Sequence, residues 1–338
     1  MKCHGLVILA EMIPLSAPLM VLVEPTNRCN FKCAYCPTGD NSLLNKAHPH
    51  LSGDMSFEFF KKIVDDMNAF LPAKIKRVQL FKDGEPLLHP KIIEMIKYAK
   101  ASPAITEVDT TTNASLLDYD MAEKIVLAKL DSIRISFEGT VLNEEYQKIT
   151  RSNYTYDGIK HNLYLLAEAK NKHKSRVPYI EAKLIDTGLS LELKGKFTKD
   201  FSGIADEVIF DPLVDRKGGS GRVLKGEKEL LPAGVCPVPF YGLAVNFNGT
   251  VCVCCGDWGY ATLVGDLNQE SLYDIWHGDR LHAFRKMHVE FRKSEHPLCG
   301  KCEYMRRLPW QSNIDQMSLE NPQKILRRLQ KVIFNKSI

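Results

Sequence analysis

The segment Cys29-Asn30-Phe31-Lys32-Cys33-Ala34-Tyr35-Cys36 places three cysteines in the spacing CxxxCxxC directly after an apolar run. Thiolates suit the irons of a 4Fe-4S cube, which takes four ligands. Three cysteines therefore leave one iron open to an outside molecule. The segment predicts a 4Fe-4S cluster held by Cys29, Cys33 and Cys36, with a reactive fourth position.

The chain has 338 residues and ten cysteines, and its net charge is +4. The length predicts one large domain with a smaller one. A charge this small does not indicate a nucleic-acid partner. Clustered cysteines in a long chain favour metal ligation over disulfides, so we expect a cytoplasmic protein. Glu11, Pro14 and Pro18 interrupt the apolar N-terminal run, which predicts neither a membrane span nor a signal peptide.

Short apolar strands alternate with helical stretches from Met20 to about Asp211, the pattern of parallel βα units. Polar motifs follow the strands, where barrels of this type carry their active sites. The predicted fold is therefore α/β, a partial (β/α)6 TIM-like barrel over residues 20–215. Its strands are expected at Met20–Glu24, Arg77–Phe81, Glu107–Thr111, Ser132–Phe137, Tyr179–Ile185 and Glu207–Phe210.

The remaining segments frame this barrel. Residues 1–19 are expected to form a cap, and the glycine-containing stretch 216–234 a linker. Residues 235–310 are a small cysteine-rich region. Residues 311–338 predict an amphipathic tail helix, opened by Asn321-Pro322, that docks on its own protein.

The cysteine triplet, with Tyr35 before its last cysteine, resembles that of the radical S-adenosylmethionine (radical SAM) superfamily. In that family the open iron chelates the amino and carboxylate groups of the methionine moiety. A Gly-Gly-Glu-Pro turn after the second strand accepts a hydrogen bond from the methionine amino group. The resemblance implies a cofactor-binding role for Gly84, Glu85 and Pro86, although Asp83 replaces the first glycine here.

Three more polar residues end predicted strands. Asn113, Ser136 and Glu138 match positions that the family often uses for the ribose hydroxyls and the carboxylate of the cofactor. Capping of the strand ends is the alternative role for each. Lys183 on the fifth strand either reaches the cofactor carboxylate or faces outward.

A second cysteine set begins at Cys236, with twelve residues between it and Gly249 and four between Gly249 and Cys254. This spacing resembles the opening of the SPASM domain, a C-terminal extension of radical SAM enzymes. A full SPASM domain carries further cysteines, and none follows Cys302. The resemblance is therefore to the shorter Twitch form, with one 4Fe-4S cluster on Cys236, Cys254, Cys299 and Cys302. Four thiolates saturate a cube, so this cluster is expected to relay electrons.

Other assignments remain open. Cys252 or Cys255 can replace Cys254 as a ligand or donate a hydrogen atom, and with Asp257 they are the candidate catalytic residues. Zinc is the alternative metal at both sites, completed at the first by His48 or His50. In that case the chain is a non-catalytic, zinc-stabilised binding protein.

The resemblance implies reductive cleavage of S-adenosylmethionine to a 5′-deoxyadenosyl radical, with an electron from a donor such as flavodoxin or ferredoxin. We expect a small polar substrate of sugar or aminocyclitol type, dehydrogenated or epimerised, with the second cluster as electron relay. Modification of a ribosomal peptide or a protein side chain is the alternative, although the short segment before Cys29 predicts no N-terminal leader-binding module.

Overall fold

The computed structural model describes residues 9–40, 52–215, 223–225 and 235–302. His48, His50 and the predicted tail helix lie outside the described residues. So does most of the predicted linker, apart from a short strand at Val223–Lys225. Within these ranges, no helix combines the length and apolarity that crossing a membrane requires.

All six predicted barrel strands are present, and four further strands follow them. The strands are β1 (Met20–Val23), β2 (Ile75–Gln79), β3 (Ile105–Thr112), β4 (Ser132–Phe137), β5 (Tyr179–Asp186), β6 (Glu207–Val214), β7 (Val223–Lys225), β8 (Gly242–Val245), β9 (Thr250–Cys252) and β10 (Leu263–Asp266). They form one sheet in the order β10-β9-β8-β1-β2-β3-β4-β5-β6-β7. Neighbours from β8 through β6 pair in parallel, and β7, β9 and β10 pair antiparallel.

Helices connect consecutive parallel strands from β1 to β6, as the alternating pattern predicts, and further helices precede β1 or follow β6. They are α1 (Leu9–Met12), α2 (Phe57–Asp66), α3 (Ile92–Ala101), α4 (Tyr119–Leu127), α5 (Asn143–Thr150), α6 (Tyr156–Lys172), α7 (Leu191–Phe201), α8 (Val238–Tyr241), α9 (Leu272–His277) and α10 (Asp279–Val289). The sequence predicts Ser56 as the cap of α2, and its hydroxyl accepts the Phe59 amide at 3.1 Å. Phe60, Ile63 and Val64 form the buried face of α2.

Strand β1 lies between β2 and β8 and is hydrogen-bonded to both. Because helices or further strands cover both of its faces, Val21, Leu22 and Val23 are all buried. Strand β8 comes from the cysteine-rich region, so that region shares main-chain hydrogen bonds with the barrel. It also shares the main hydrophobic core, to which Val245 and Trp276 belong.

The barrel interior below the strand ends is polar. Arg77 on β2 donates to Glu107 on β3 at 3.0 Å, and Gln79 donates to Asp109 at 3.0 Å. Burial raises the pKa of Asp109 to about 6, although Arg77 opposes the shift. These pairs give the charged side chains inside the barrel their partners. The site lies elsewhere in the barrel, at the carboxyl ends of the strands.

The hairpin between β8 and β9 depends on a glycine. Gly249 has φ of +92°, and a Cβ there would lie 2.7 Å from the Phe59 ring. We expect Gly249→Ala to lower the free energy of unfolding by about 1–3 kcal/mol, because the residue adds backbone strain and a clash. Thermal unfolding of the purified variant measures this loss.

Gly195 in α7 is the matched control, because a Cβ there meets no atom within 4 Å. Gly195→Ala should keep or raise the melting temperature, since alanine favours a helix interior by about 1 kcal/mol. Equal melting temperatures for the Gly249→Ala variant and the wild type would contradict the strain at the hairpin.

Candidate active site

A cavity of about 200 Å³ opens at the carboxyl ends of the barrel strands. Its wall brings together the first cysteine set, the turn after β2 and the polar ends of β3, β4 and β5. The residues that line the cavity include Cys29, Phe31, Cys33, Tyr35, Cys36, Phe81, Lys82, Asp83, Gly84, Glu85, Asn113, Ser136, Glu138, Lys183, Ile185 and Leu213. The cavity therefore collects the first cysteine set and the residues predicted to bind the cofactor, with the exception of Pro86, which is buried at the start of a short 3-10 helix.

The three cysteines lie on the loop after β1, and the end of α5 holds this loop in place. The amide of Lys32 donates to the Thr150 carbonyl at 2.9 Å, and the amide of Ala34 donates to the Ile149 carbonyl at 2.8 Å. The amide of Cys36 donates to the Cys33 carbonyl at 3.0 Å. The carbonyls that end a helix thus fix the loop that carries the thiols.

The turn after β2 packs directly on the segment that precedes Cys29. The Glu85 amide donates to the Arg28 carbonyl at 2.8 Å. A Cβ at Gly84 would overlap the Thr26 carbonyl and lie 2.7 Å from the Arg28 carbonyl oxygen. Only glycine fits here, because the contacts are with backbone atoms that cannot move aside cheaply.

The carboxylate of Glu85 accepts hydrogen bonds from three protein groups. It accepts the Thr112 hydroxyl at 2.6 Å, the Asn113 amide at 2.7 Å and the Leu87 amide at 3.0 Å. Burial raises the pKa of Glu85, and these three hydrogen bonds oppose the shift. The side chain therefore ties the turn after β2 to the end of β3.

Asn113 and Glu138 both contact the cysteine loop. The Asn113 side-chain amide donates to the Asn30 side chain at 3.0 Å and lies 3.9 Å from the Cys29 sulfur. Glu138 accepts a hydrogen bond from the Tyr35 hydroxyl. Burial, and then Glu138, raise the pKa of Tyr35, so the phenol stays a donor. The residues predicted to bind cofactor also orient the loop.

The thiols of the first set are buried beside carboxylates. Burial, and then Glu85, raise the pKa of Cys29 to about 12. Burial also raises the pKa of Cys33, with further contributions from Glu138 and Cys36. Metal binding at these thiols would release their protons.

The second cysteine set is drawn together from three parts of the chain. Burial raises the pKa of Cys236 to about 12, and the charges of Cys302 and Cys299 add to the rise. Cys254 is hydrogen-bonded to Cys255, and this bond, burial and Cys236 all raise its pKa. The four predicted ligands thus lie close enough to interact electrostatically.

Two histidines hold the backbone of this second set. The Cys236 amide donates to Nδ1 of His288, and the Cys299 amide donates to Nδ1 of His296, both at 3.3 Å. Both imidazoles pack against the Phe284 ring, with centroids 5.2 and 5.3 Å away. One aromatic side chain therefore positions two ligand-bearing turns.

The three candidate catalytic residues lie outside the lining described for the cavity. Cys252 is 0% exposed and accepts from the Asn246 side chain at 3.4 Å. Cys255 packs beside it against an apolar cluster. The Asp257 carboxylate accepts the amides of Ala261 and Thr262, at 2.9 and 2.6 Å. It closes a loop, so the position of Asp257 does not suit a base.

Sequence reasoning missed Glu24, Lys82, His288 and His296. Glu24 and Lys82 are fully buried charges beside the cavity turn. A glutamate directly after the buried β1 was a usable signal, because charges are rarely buried without a partner. The two histidines carry no local signal, since the tertiary packing of α10 brings them to the cysteines.

Two family models match this chain. One, described as the radical SAM superfamily, covers residues 23–181, and the other, described as an iron-sulfur cluster-binding domain (SPASM), covers residues 236–303. The chain belongs to the radical SAM superfamily. The radical SAM model covers the cysteine loop and the barrel from the end of β1 to the start of β5, and the SPASM model begins at Cys236 and extends past Cys302.

Curated relatives of this radical SAM chain include GTP 3′,8-cyclases. That of Chlorobaculum tepidum is 34% identical over 131 residues, which cover 39% of this chain and 36% of the relative. That of Gloeobacter violaceus is 35% identical over 117 residues, 34% of either chain. The matched part spans about a third of the length of these relatives.

Solved structures of radical SAM proteins share the fold. BtrN in complex with AdoMet and 2-DOIA has a TM-score of 0.55 at 19% identity, covering 84% of this chain and 92% of BtrN. Streptococcus suis SuiB bound to its precursor peptide SuiA has a TM-score of 0.66 at 15% identity, covering 91% and 78%. At these identities the likeness establishes the barrel and nothing about the substrate.

The cofactors of this radical SAM enzyme are S-adenosylmethionine and iron–sulfur clusters, a 4Fe-4S cluster in the barrel and the auxiliary cluster of the second domain. Both cysteine sets fit them, because buried soft thiols lie together at each site. No three described Cys, His, Asp or Glu side chains are arranged around a single ion. A cube does not need that arrangement, since each ligand binds a different iron. Family membership decides against the zinc-stabilised binding protein.

The Gly84 turn gives a direct test of cofactor binding. We expect Gly84→Ala to weaken S-adenosylmethionine binding at least about tenfold, because a displaced turn loses main-chain contacts worth about 1.4 kcal/mol. Anaerobic equilibrium dialysis measures the dissociation constant. Gly259→Ala is the matched control, since a Cβ there meets no atom within 4 Å. An unchanged dissociation constant for Gly84→Ala would remove the turn from the cofactor site.

His296 gives a test of the auxiliary site. We expect His296→Ala to lower the iron bound at the second cysteine set, because it leaves the half-buried amides of Leu298 and Cys299 without their acceptor, at a cost of about 0.5–1.5 kcal/mol. His296→Asn should restore much of the iron, since its carbonyl replaces Nδ1. Iron analysis with electron paramagnetic resonance (EPR) distinguishes the sites. Equal loss in both variants would contradict the acceptor role.

Proposed function

We propose that this radical SAM enzyme dehydrogenates a small polar substrate of sugar or aminocyclitol type in the cytosol, drawing electrons from a flavodoxin or ferredoxin. The observation that carries the proposal is the cavity, whose wall joins the first cysteine set to polar strand ends. Cys29, Cys33 and Cys36 are the proposed ligands of the catalytic cluster. These three ligands would leave one iron of a cube open to S-adenosylmethionine.

The chemistry that bound S-adenosylmethionine supplies here is a 5′-deoxyadenosyl radical, which removes one hydrogen atom from carbon. In this proposal the main chain at Gly84 would accept a hydrogen bond from the methionine amino group, and the close packing of this turn on residues 26–28 supports that role. Glu138, fixed by Tyr35, presents a carboxylate to the ribose hydroxyls, and Asn113 adds an amide beside Cys29. Lys183 lines the cavity and suits the cofactor carboxylate.

Apolar side chains complete the cavity. Phe31 and Phe81 lie in its wall with Ile185 and Leu213. They exclude water from the reacting carbon, which protects a radical from side reactions. The polar groups then orient a substrate hydroxyl in a cavity from which the apolar side chains exclude water.

We propose that Cys236, Cys254, Cys299 and Cys302 would hold the auxiliary cluster, which would supply a one-electron acceptor for the oxidation of the substrate. The electrostatic contacts among these cysteines support the set. The sulfur of Cys252 instead accepts a hydrogen bond from the side chain of Asn246, in the turn between β8 and β9. We favour dehydrogenation over epimerisation because Cys252 and Cys255 are not among the residues that line the cavity, so neither is placed to return a hydrogen atom.

Proteins of this fold act on different substrates, so the fold does not choose among them. One neighbour holds 2-DOIA, another a precursor peptide, and the curated relatives are GTP 3′,8-cyclases. Peptide modification and nucleotide cyclisation are therefore outcomes of the substrate test below.

Anaerobic incubation with a panel of sugars and aminocyclitols tests the function. We expect 5′-deoxyadenosine to accumulate with one substrate class, and the product to weigh two hydrogens less than the substrate. Cys33→Ala should abolish both, because the catalytic cluster loses one of its three ligands. Mass spectrometry reads both products.

Three other results would contradict parts of this proposal. A product of unchanged mass in H2O that is one mass unit heavier when the reaction runs in D2O would indicate epimerisation. A peptide or a guanine nucleotide as the sole active substrate would contradict the sugar class. Deoxyadenosine formation that persists in Cys33→Ala would contradict the catalytic cluster itself.

A further inference from the structure

The end of β1, the turn after β2 and the hairpin of the auxiliary domain meet at two buried charges. Glu24 follows β1, and Lys82 precedes the cofactor turn at Asp83-Gly84. Glu24 as a residue and the Lys82 side chain are both 0% exposed. We call Glu24 and Lys82 the interdomain bridge.

The carboxylate of Glu24 accepts one amide from each domain. Its Oε1 accepts the Asp83 amide at 3.1 Å, and its Oε2 accepts the Phe247 amide at 3.0 Å. Asp83 belongs to the cofactor turn, and Phe247 belongs to the turn between β8 and β9. One rigid group therefore sets the separation of the two turns.

The ammonium of Lys82 makes the second link. It forms an ion pair with Asp83 and donates to the main-chain carbonyl of Asp257 at 3.2 Å. It also lies 5.3 Å from the centre of the Tyr260 ring. Lys82 thus contacts the cavity turn on one side and the 257–260 loop of the auxiliary domain on the other.

The loop that Lys82 contacts carries a proposed cluster ligand. The Asp257 amide donates to the Cys254 carbonyl at 3.2 Å, which closes the turn Cys254-Cys255-Gly256-Asp257. Asp257 also contributes to the raised pKa of Cys299. Two consecutive hydrogen bonds therefore connect the cavity wall to Cys254.

Burial makes this arrangement costly unless every charge has a partner. Burial raises the pKa of Glu24 to about 7, and Lys82 opposes the shift. The bridge keeps its charges only while both turns stay in place, because each turn supplies hydrogen-bond partners to it. Such a site favours one relative position of the two turns.

We propose that Lys82 and Glu24 are positioning residues that fix the ligand turn of the auxiliary cluster against the cofactor turn, and so set the distance over which an electron passes from the substrate cavity to the auxiliary cluster. The proposal rests on the proposed ligand role of Cys254. Neither side chain acts as a ligand or touches the reacting carbon in this scheme.

Anaerobic hydrogen exchange on the reconstituted full chain tests the bridge without any substrate. We expect Lys82→Met to speed amide exchange in residues 254–262 by about tenfold, because the loop loses a charged hydrogen bond. The auxiliary iron should be retained, and the EPR signal of the auxiliary cluster should shift, since the turn that carries Cys254 loses the hydrogen bond from Lys82 to the Asp257 carbonyl. Unchanged exchange and an unchanged signal would overturn the proposal.

Lys183→Met is the matched control. Lys183 lines the same cavity from β5, and its ion pair is with Asp211 on β6 at 3.8 Å. This variant should leave exchange in residues 254–262 unchanged. Faster exchange in both variants would show a general loosening and would overturn the specific role of Lys82.

Glu24→Gln covers the case in which Lys82→Met does not fold. The amide keeps the size and one acceptor but loses the charge, so exchange at Phe247 and Asp83 should rise several-fold. No rise would overturn the bridge. A Cys254→Ala variant separates this proposal from the proposed ligand set. An auxiliary EPR signal that survives Cys254→Ala would contradict the ligand set. The exchange rates of the Lys82 and Glu24 variants would still test the interdomain bridge.

Discussion

The buried carboxylate of Glu24 is the interaction on which the arrangement of the site depends. A charge without solvent needs fixed partners, and here the partners are two main-chain amides from segments far apart in sequence. Strand β1 supplies this carboxylate at the point where its own main chain is already paired with β2 and β8. The cysteine loop begins five residues later, so the same strand end places the catalytic thiols.

The two cysteine sets differ in how the chain brings their thiols together. The first takes three cysteines from one loop, held by the end of α5 and faced by a cavity. The second gathers four cysteines from separate turns, two of them fixed by histidines that share Phe284. A local triplet leaves an open position for chemistry, whereas a set of four encloses its metal. The sheet joins both in one body.

Local patterns predicted much of this molecule. The six barrel strands, the Ser56 cap and the cysteine triplet follow from periodicity, capping chemistry and spacing, which are properties of neighbouring residues. The turn at Gly84 was predicted from its resemblance to a family motif. These features need no knowledge of distant contacts, and the structure has them at or within a few residues of the expected positions.

Distant contacts decided the rest. Lys82 and Asp257 are 175 residues apart, and no pattern along the chain announces their contact. The carboxylate of Asp257, a candidate base by position, is occupied by its own loop. Strand β7 lies within the predicted linker because the extended β6 offers it an edge.

The measurement closest to the central claim is the anaerobic iron content of the reconstituted wild type and of the triple variant Cys29→Ala/Cys33→Ala/Cys36→Ala. The account predicts about eight irons per chain in the wild type and about four in the variant, whose EPR signal no longer responds to S-adenosylmethionine. About four irons in the wild type, or none in the variant, would contradict two independent clusters.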